Sequence, residues 1–405
     1  MKKLYTFALL GLFFHTALAQ IVSIPDPIFK ARLISEGVDT SGDGEIQVSE
    51  AQSIVELDVR NPVGGTNFIQ DLSGIEAFIN LEDLECANNQ LTSLDVSALE
   101  NLKVLHAEYN ELTSINLDGL QQLEVLWIPN NNLTTLHLDS LQNLWWLFCN
   151  NNGLDTLDLS NLESLYAIWA SGNLLTEIDF SGNPLIEEIL IDTNELTAID
   201  ISNLENLVEL NATSNDIESI QLDGANSLQR LFLSHNLLTE IDCSEIPVGY
   251  LEITDNPNLE TINVQNGAFE FPDPDLLYFP LLLANTPNLI SICMDPEDNA
   301  ALEVSEYDAS NVIVLAGPNC TPLSVAENDQ IDFNVYPNPV QAEIHISNYE
   351  KANQFILYDL SGKVLIDTKQ YTPLQQEITA ITKGVYFLSI TTFEQGIQTI
   401  KIIKN

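Results

Sequence analysis

The sequence predicts a solenoid, of class α/β to mainly β, built from short parallel strands stacked coil upon coil. Three observations predict it. Asn89, Asn110, Asn131, Asn152, Asn173, Asn194, Asn215 and Asn236 recur every 21 residues, and Asn256 follows after 20. An apolar anchor keeps register with them at Leu84, Leu105, Leu126, Leu147, Ile168, Ile189, Leu210, Leu231 and Leu251. Each coil reads LxxLxLxxNxLxxLxLxx, with Ile, Val, Cys or Ala in place of some leucines. A sustained period of this length marks units that have no core alone and bury their apolar faces by stacking.

The first element, residues 1–19, reads as a secretory signal peptide: Lys2 and Lys3, an apolar run from Leu4 to Phe14, then Ala-Leu-Ala at 17–19. Cleavage after Ala19 leaves Gln20, not a cysteine, at the new terminus, so no lipid anchor is expected. The apolar run at 276–284 contains Pro280 and is too short to cross a bilayer, so no transmembrane segment is expected.

Residues 20–56 form the expected N-terminal cap. Within it, 39–50 reads DTSGDGEIQVSE. Asp39, Ser41 and Asp43 offer side-chain oxygens, Glu45 a backbone carbonyl, Gln47 a water-bridged position and Glu50 a bidentate carboxylate, while Gly44 supplies the sharp turn. Hard oxygen donors at this spacing suit one Ca²⁺. The loop resembles an EF-hand loop, with amphipathic stretches on both sides as entering and leaving helices, and no partner hand. The expectation is a small helical calcium-binding cap with a structural Ca²⁺. Such leads ahead of repeats resemble those of secreted Bacteroidota proteins.

Residues 57–267 carry the repeats. The LxL segment is a short parallel strand with alternate side chains inward, and the inward Asn satisfies buried backbone groups at the turn, coil after coil. Segments such as Leu94 to Ser97 also alternate and predict a second short strand per coil. The phrase resembles the leucine-rich repeat, and the resemblance implies a right-handed arc with a concave parallel sheet. Cys86, Cys149 and Cys243 fall at inward positions and are expected as buried free thiols.

Outward positions carry no packing duty and hold the candidate site. The column after the anchor reads Glu85, His106, Trp127, Phe148, Trp169, Leu190, Asn211, Phe232 and Glu252. Trp146 precedes its anchor, Trp145 and Tyr166 stand one further back, and Tyr109 lies on the same rim. The candidate ligand-binding set is Tyr109, Trp127, Trp146, Phe148, Trp169 and Phe232; Trp145 and Tyr166 are expected as peripheral core. A second column, including Asp95, Asp158, Asp179, Asp200 and Asp242, is expected to be held by hydrogen bonds and not by metal.

Residues 268–320 read as a C-terminal cap with a closing coil, a short helix near 296–307 and a final strand. A disulfide between Cys293 and Cys320 would staple it. A polar linker follows at 321–332. Then come VYPNPV at 335–340, LYDLSGKVL at 357–365, KGVYFLSI at 383–390 and a lysine-bearing terminus. These phrases predict a small β-sandwich over 333–405. They resemble the type A C-terminal sorting domain of the type IX secretion (Por) system, which implies the secretion machinery as a partner. It also implies release outside, or display on the outer surface, of a Gram-negative bacterium.

Formal net charge is −46, and between residues 61 and 350 the only basic residues are Lys103 and Arg230. Such a polyanion excludes nucleic acid and anionic membrane, whose binding needs Lys and Arg. No serine elbow, Cys/His pair, HExxH or phosphate loop occurs, so no enzyme is expected. Flat aromatic faces suit the apolar anchors of a protein, as in adhesion, or sugar rings of a polysaccharide. A structural surface component without a discrete ligand is the third reading.

Overall fold

The computed structural model describes residues 20–267, 281–295, 313–316, 333–340 and 344–404, apart from scattered positions between 361 and 396. The signal segment, the linker, Cys320 and the helix expected near 296–307 lie outside the described residues. The chain divides into two units, Met1–Leu165 and Tyr166–Asn405.

The N-terminal unit begins with helix Pro27–Ser35, which buries Phe29 and Leu33. Asp26 caps it: one carboxylate oxygen accepts from the Ile28 and Phe29 amides at 2.7 and 3.0 Å. The other accepts from the amides of Gln70 and Asp71 at 2.8 and 3.2 Å, tying the cap to the first coil. Burial pushes this carboxyl up, but the four backbone donors outweigh it and hold it below its ordinary value. The leaving helix, expected through Leu57, is a single turn at Val48–Ala51. β-Branched Ile54 and Val55 favour extended backbone, and the Val55 carbonyl is already engaged by the amides of Glu82 and Asp83 in the next coil.

Five parallel strands follow, Glu56–Asp58, Asp83–Glu85, Val104–His106, Val125–Trp127 and Trp146–Phe148, paired in register with the anchors opposite one another. Leu84, Leu105, Leu126 and Leu147 are fully buried. The asparagines join the coils. Asn131 accepts from Leu112 N at 3.0 Å and donates to the carbonyls of Ala107 and Ile128 at 3.0 and 3.1 Å. Asn89, Asn110 and Asn152 repeat this pattern. The residue ahead of each Asn takes a left-handed backbone, at Asn88, Tyr109, Asn130 and Asn151. The turn imposes it, so the positive φ of Tyr109 belongs to the coil and does not mark a site.

The C-terminal unit repeats the plan. Strands Ala167–Trp169, Glu188–Leu190, Glu209–Asn211, Arg230–Phe232, Tyr250–Glu252 and Leu281–Leu282 pair in parallel. Asn194, Asn215, Asn236 and Asn256 bond across coils as their counterparts do. The stack continues through Ser291–Met294, joined by the expected final strand Ile313–Ala316. In this last coil Thr286 follows left-handed Asn285, so it stands where the ladder asparagine stood. Cys293 is disulfide-bonded. Cys86, Cys149 and Cys243 are buried thiols outside any disulfide, and burial pushes their ionisation up.

The second strand forms at Ser93–Asp95, Ser114–Asn116, Ala198–Asp200, Ser219–Gln221, Glu240–Asp242, Thr261–Val264 and Ser291–Met294. It does not form at 135–137, 156–158 or 177–179, where the same phase occurs. There the alternation still buries Leu136 and Leu157, at 7% exposure each, without ladder bonds. In the column that follows, Asp95, Asp158, Asp179, Asp200 and Asp242 each accept from the amide two residues on, at 2.8–3.1 Å. Local turns engage these carboxylates, and Asp95 also bonds the Asn116 side chain of the next coil.

From 333 onward, strands Val364–Thr368, Ala352–Tyr358, Gly384–Thr392 and Ile397–Lys404 form an antiparallel sheet, and Val335–Tyr336 pairs with His345–Ile346. Phe333, Phe355, Leu357, Leu388 and Ile402 share one core.

Candidate functional site

Alternation places 83, 85, 104, 106, 125, 127, 146 and 148 on the outward face of the N-terminal unit's sheet. Here the side chains run together as a chain of rings. His106 lies 5.8 Å from Trp127, centroid to centroid, and Trp127 lies 4.1 Å from Phe148. Trp146 meets Phe148 edge-on at 5.5 Å and Trp145 at 5.6 Å. Successive tilted and edge-on contacts are the arrangements that aromatic quadrupoles favour.

Exposure reverses two expectations. Phe148 is 3% exposed, so Trp127 and Trp146 cover it and it serves as their support. Trp145, expected as peripheral core, is 46% exposed. Tyr109 is 58% exposed, on the turn after its strand. Trp127 and Trp146 are half-buried.

In the C-terminal unit, Tyr166 and Trp169 are half-buried and tied to carboxylates. The Tyr166 hydroxyl donates to Glu187 at 2.9 Å, and Trp169 Nε1 donates to Glu188 at 2.9 Å. The Glu187 carboxylate raises the Tyr166 phenol above its ordinary value. Phe232 meets Tyr250 at 5.2 Å. Tyr250 is an addition to the expected set; its signal was its place just before the anchor Leu251, the same place that Trp146 holds.

The acidic loop at 39–50 is closed by its own hydrogen bonds. Asp39 accepts from the amides of Gly42 and Gly44 at 2.7 and 2.8 Å, and from the Ser41 hydroxyl at 3.1 Å. Glu50 accepts from the amides of Ser41 and Gln47 at 2.8 and 2.9 Å. These donors, Gly44 foremost for Asp39 and Gln47 for Glu50, hold both carboxyls below their ordinary value. Asp43 accepts from the Glu45 amide and the Gln47 side chain, and the Glu45 carboxylate pairs with Lys30 at 2.7 Å. Where no partner hand was visible in the sequence, the chain's own start packs instead: Val22 N donates to the Ile46 carbonyl, and Val48 N to that of Gln20, each at 2.8 Å. Among the described residues no three His, Cys, Asp or Glu side chains are grouped as a metal site. The oxygen-rich donor set has the chemistry for a hard cation and spare lone pairs, but its carboxylates are aimed at amides.

Residues 334–405 match the family described as Secretion system C-terminal sorting domain, and residues 122–144 match Leucine Rich Repeat. No curated protein matches. Among solved structures, the chain is similar to the functional domain of InlJ from Listeria monocytogenes, at 18% identity over 95% of this chain and 98% of that one, TM-score 0.46. It is similar to a leucine-rich repeat protein of Leptospira interrogans at 21% identity, covering 66% of this chain and 62% of that one, TM-score 0.47. For YopM from Yersinia enterocolitica the identity is 23%, the coverage 66% and 56%, and the TM-score 0.43. Neither matched family is one of enzymes. No helix among the described residues is long and apolar enough to cross a membrane.

Proposed function

We propose that this leucine-rich repeat protein, sorted by its C-terminal domain through type IX secretion to the cell surface or outside, recognises another protein, as in adhesion. The contact surface is the ring run of its N-terminal unit. One observation carries the reading: five rings in contact, His106, Trp127, Phe148, Trp146 and Trp145, the last of them 46% exposed. Contiguous aromatic surface of this kind typifies the centres of binding interfaces. The rings are tilted at 30–39° or set edge-on at 89°, an uneven relief that suits interleaving side chains better than a flat sugar face.

The test is a screen of the purified chain against cell-surface proteins and polysaccharides, repeated with Trp145→Ala. That truncation removes an exposed ring and leaves the fold intact. Binding to a protein is expected to weaken about 30-fold or more, the effect of a hot-spot residue contributing at least ~2 kcal/mol. Loss of polysaccharide binding instead would assign the face to glycans.

We infer also that the loop at 39–50 holds one Ca²⁺ through Asp39, Ser41, Asp43, Glu45, Gln47 and Glu50, stiffening the cap. Calcium at a hundredfold excess over its Kd is expected to stabilise the cap by about 2–3 kcal/mol relative to chelator. Amide exchange of Gly42 and Gly44 should slow, and Glu50→Gln should abolish the effect. Identical exchange with calcium and with chelator would remove the metal from the account.

A further inference from the structure

We propose that the partner segment seated on the N-terminal unit's ring run is basic, and that it sets an arginine against Glu108, near His106 and Trp127. This rests on the reading of the ring run as a protein-binding face and names the chemistry of what it binds.

The observation is a contrast between the outward strand positions of the two units. In the C-terminal unit the outward carboxylates are partnered by their neighbours. Glu187 and Glu188 take the Tyr166 hydroxyl and the Trp169 indole, Asp192 takes Ser171 and Asn211, and Glu252 takes Ser234 and Tyr250. Glu209 pairs with Arg230. In the N-terminal unit Asp83 Oδ1 and Glu108 Oε2 are shut from solvent without a hydrogen-bond partner. Burial pushes both carboxyls above their ordinary value.

The cations within this unit are committed elsewhere. Arg60 pairs with Asp58 and Glu85, at 3.1 and 2.6 Å, and Lys103 pairs with Glu82 at 2.6 Å. His106 Nδ1 stands 3.9 Å from the unpaired Glu108 oxygen, beyond hydrogen-bond length, and Arg60 acts on Glu108 only through space. With Arg60 and Lys103 committed, a partner's cation is what can bond to that oxygen.

The placement favours arginine. The Glu108 side chain is 20% exposed, so it can be reached from the sheet face. His106 lies between it and Trp127, 5.8 Å from the indole. A guanidinium can lie over an indole face while its N–H fork engages a carboxylate, whereas an ammonium is a point charge that holds its water. Desolvated carboxylates beside an apolar run also reject acidic partners.

The test titrates the full chain with fluorescein-labelled 15-residue peptides of equal apolar content that carry arginine, lysine, glutamine or glutamate, followed by anisotropy. Arginine peptides are expected to bind at least tenfold tighter than glutamine peptides, and glutamate peptides not to bind. The isosteric variant Glu108→Gln removes buried charge and so keeps the fold. It should abolish the preference for arginine while leaving glutamine-peptide binding unchanged. Equal binding of arginine and glutamine peptides, both sensitive to Trp145→Ala, would overturn this inference and leave the protein-binding reading standing. Binding to a polysaccharide with no peptide bound at all would overturn both.

Discussion

Asn131→Ala is expected to destabilise the coils it joins by about 1–3 kcal/mol, the cost of leaving one buried polar group unpaired. The Leu112 amide is orphaned, whereas the carbonyls of Ala107 and Ile128 each keep a second asparagine donor, from Asn110 and Asn152 at 3.1 Å. All three lie where water does not reach, since Asn131 is 7% exposed and Ala107, Leu112 and Ile128 are fully buried. Asn131→Asp tests the cause, because it keeps the acceptor but removes both donated bonds and buries a charge, so it should be no better than alanine. Asn152 makes the same three bonds but is half-buried, and Asn152→Ala should cost about half as much, water replacing part of the loss. Since a repeat array need not unfold in one step, the measurement is amide exchange at Leu112 as well as the melting curve. A loss below about 1 kcal/mol, with Leu112 still protected, would show that stacked leucines alone hold the coils.

Deleting 334–405 is expected to move the protein from the cell surface or medium to the periplasm, an all-or-none effect. The matched sorting domain coincides with a separately cored sheet, built on Phe333, Phe355, Leu357, Leu388 and Ile402. Its removal therefore should leave amide protection of the repeats unchanged, so mislocalisation would not reflect misfolding. Cell fractionation with protease shaving checks it. Continued surface exposure of the truncated chain would contradict the assignment.

The ladder and the core were legible because the 21-residue period assigns each residue a direction, inward or outward, without long-range information. Direction is not depth. The column fixes direction for Trp145 and Phe148 alike, but Phe148 packs against Trp127 and Trp146 and is buried, while Trp145 keeps 46% of its surface exposed. Nothing in the repeat phrase records how far a neighbouring ring leans over. The acidic loop shows the same limit: its spacing named the oxygen donors, but its contact with Val22 and Gln20 depends on a pairing made across more than 20 residues of chain. The unpaired oxygens of Asp83 and Glu108 are a further case, since their columns were readable while the absence of hydrogen-bond partners required side-chain geometry. The second strand failed at 135–137, 156–158 and 177–179 although its alternation was present, because alternation secures burial and does not by itself secure a hydrogen-bonded neighbour.

We propose the ring run of the N-terminal unit as the recognition surface. Oxidative footprinting of the full chain, alone and saturated with the protein ligand that the screen identifies, tests it most directly. The account predicts that Trp145 and Tyr109, 46% and 58% exposed in the free chain, become protected together with Trp127, while Phe232 and Tyr250 are unchanged. Unaltered oxidation of Trp145 and Trp127 in the saturated complex would place recognition elsewhere and contradict it.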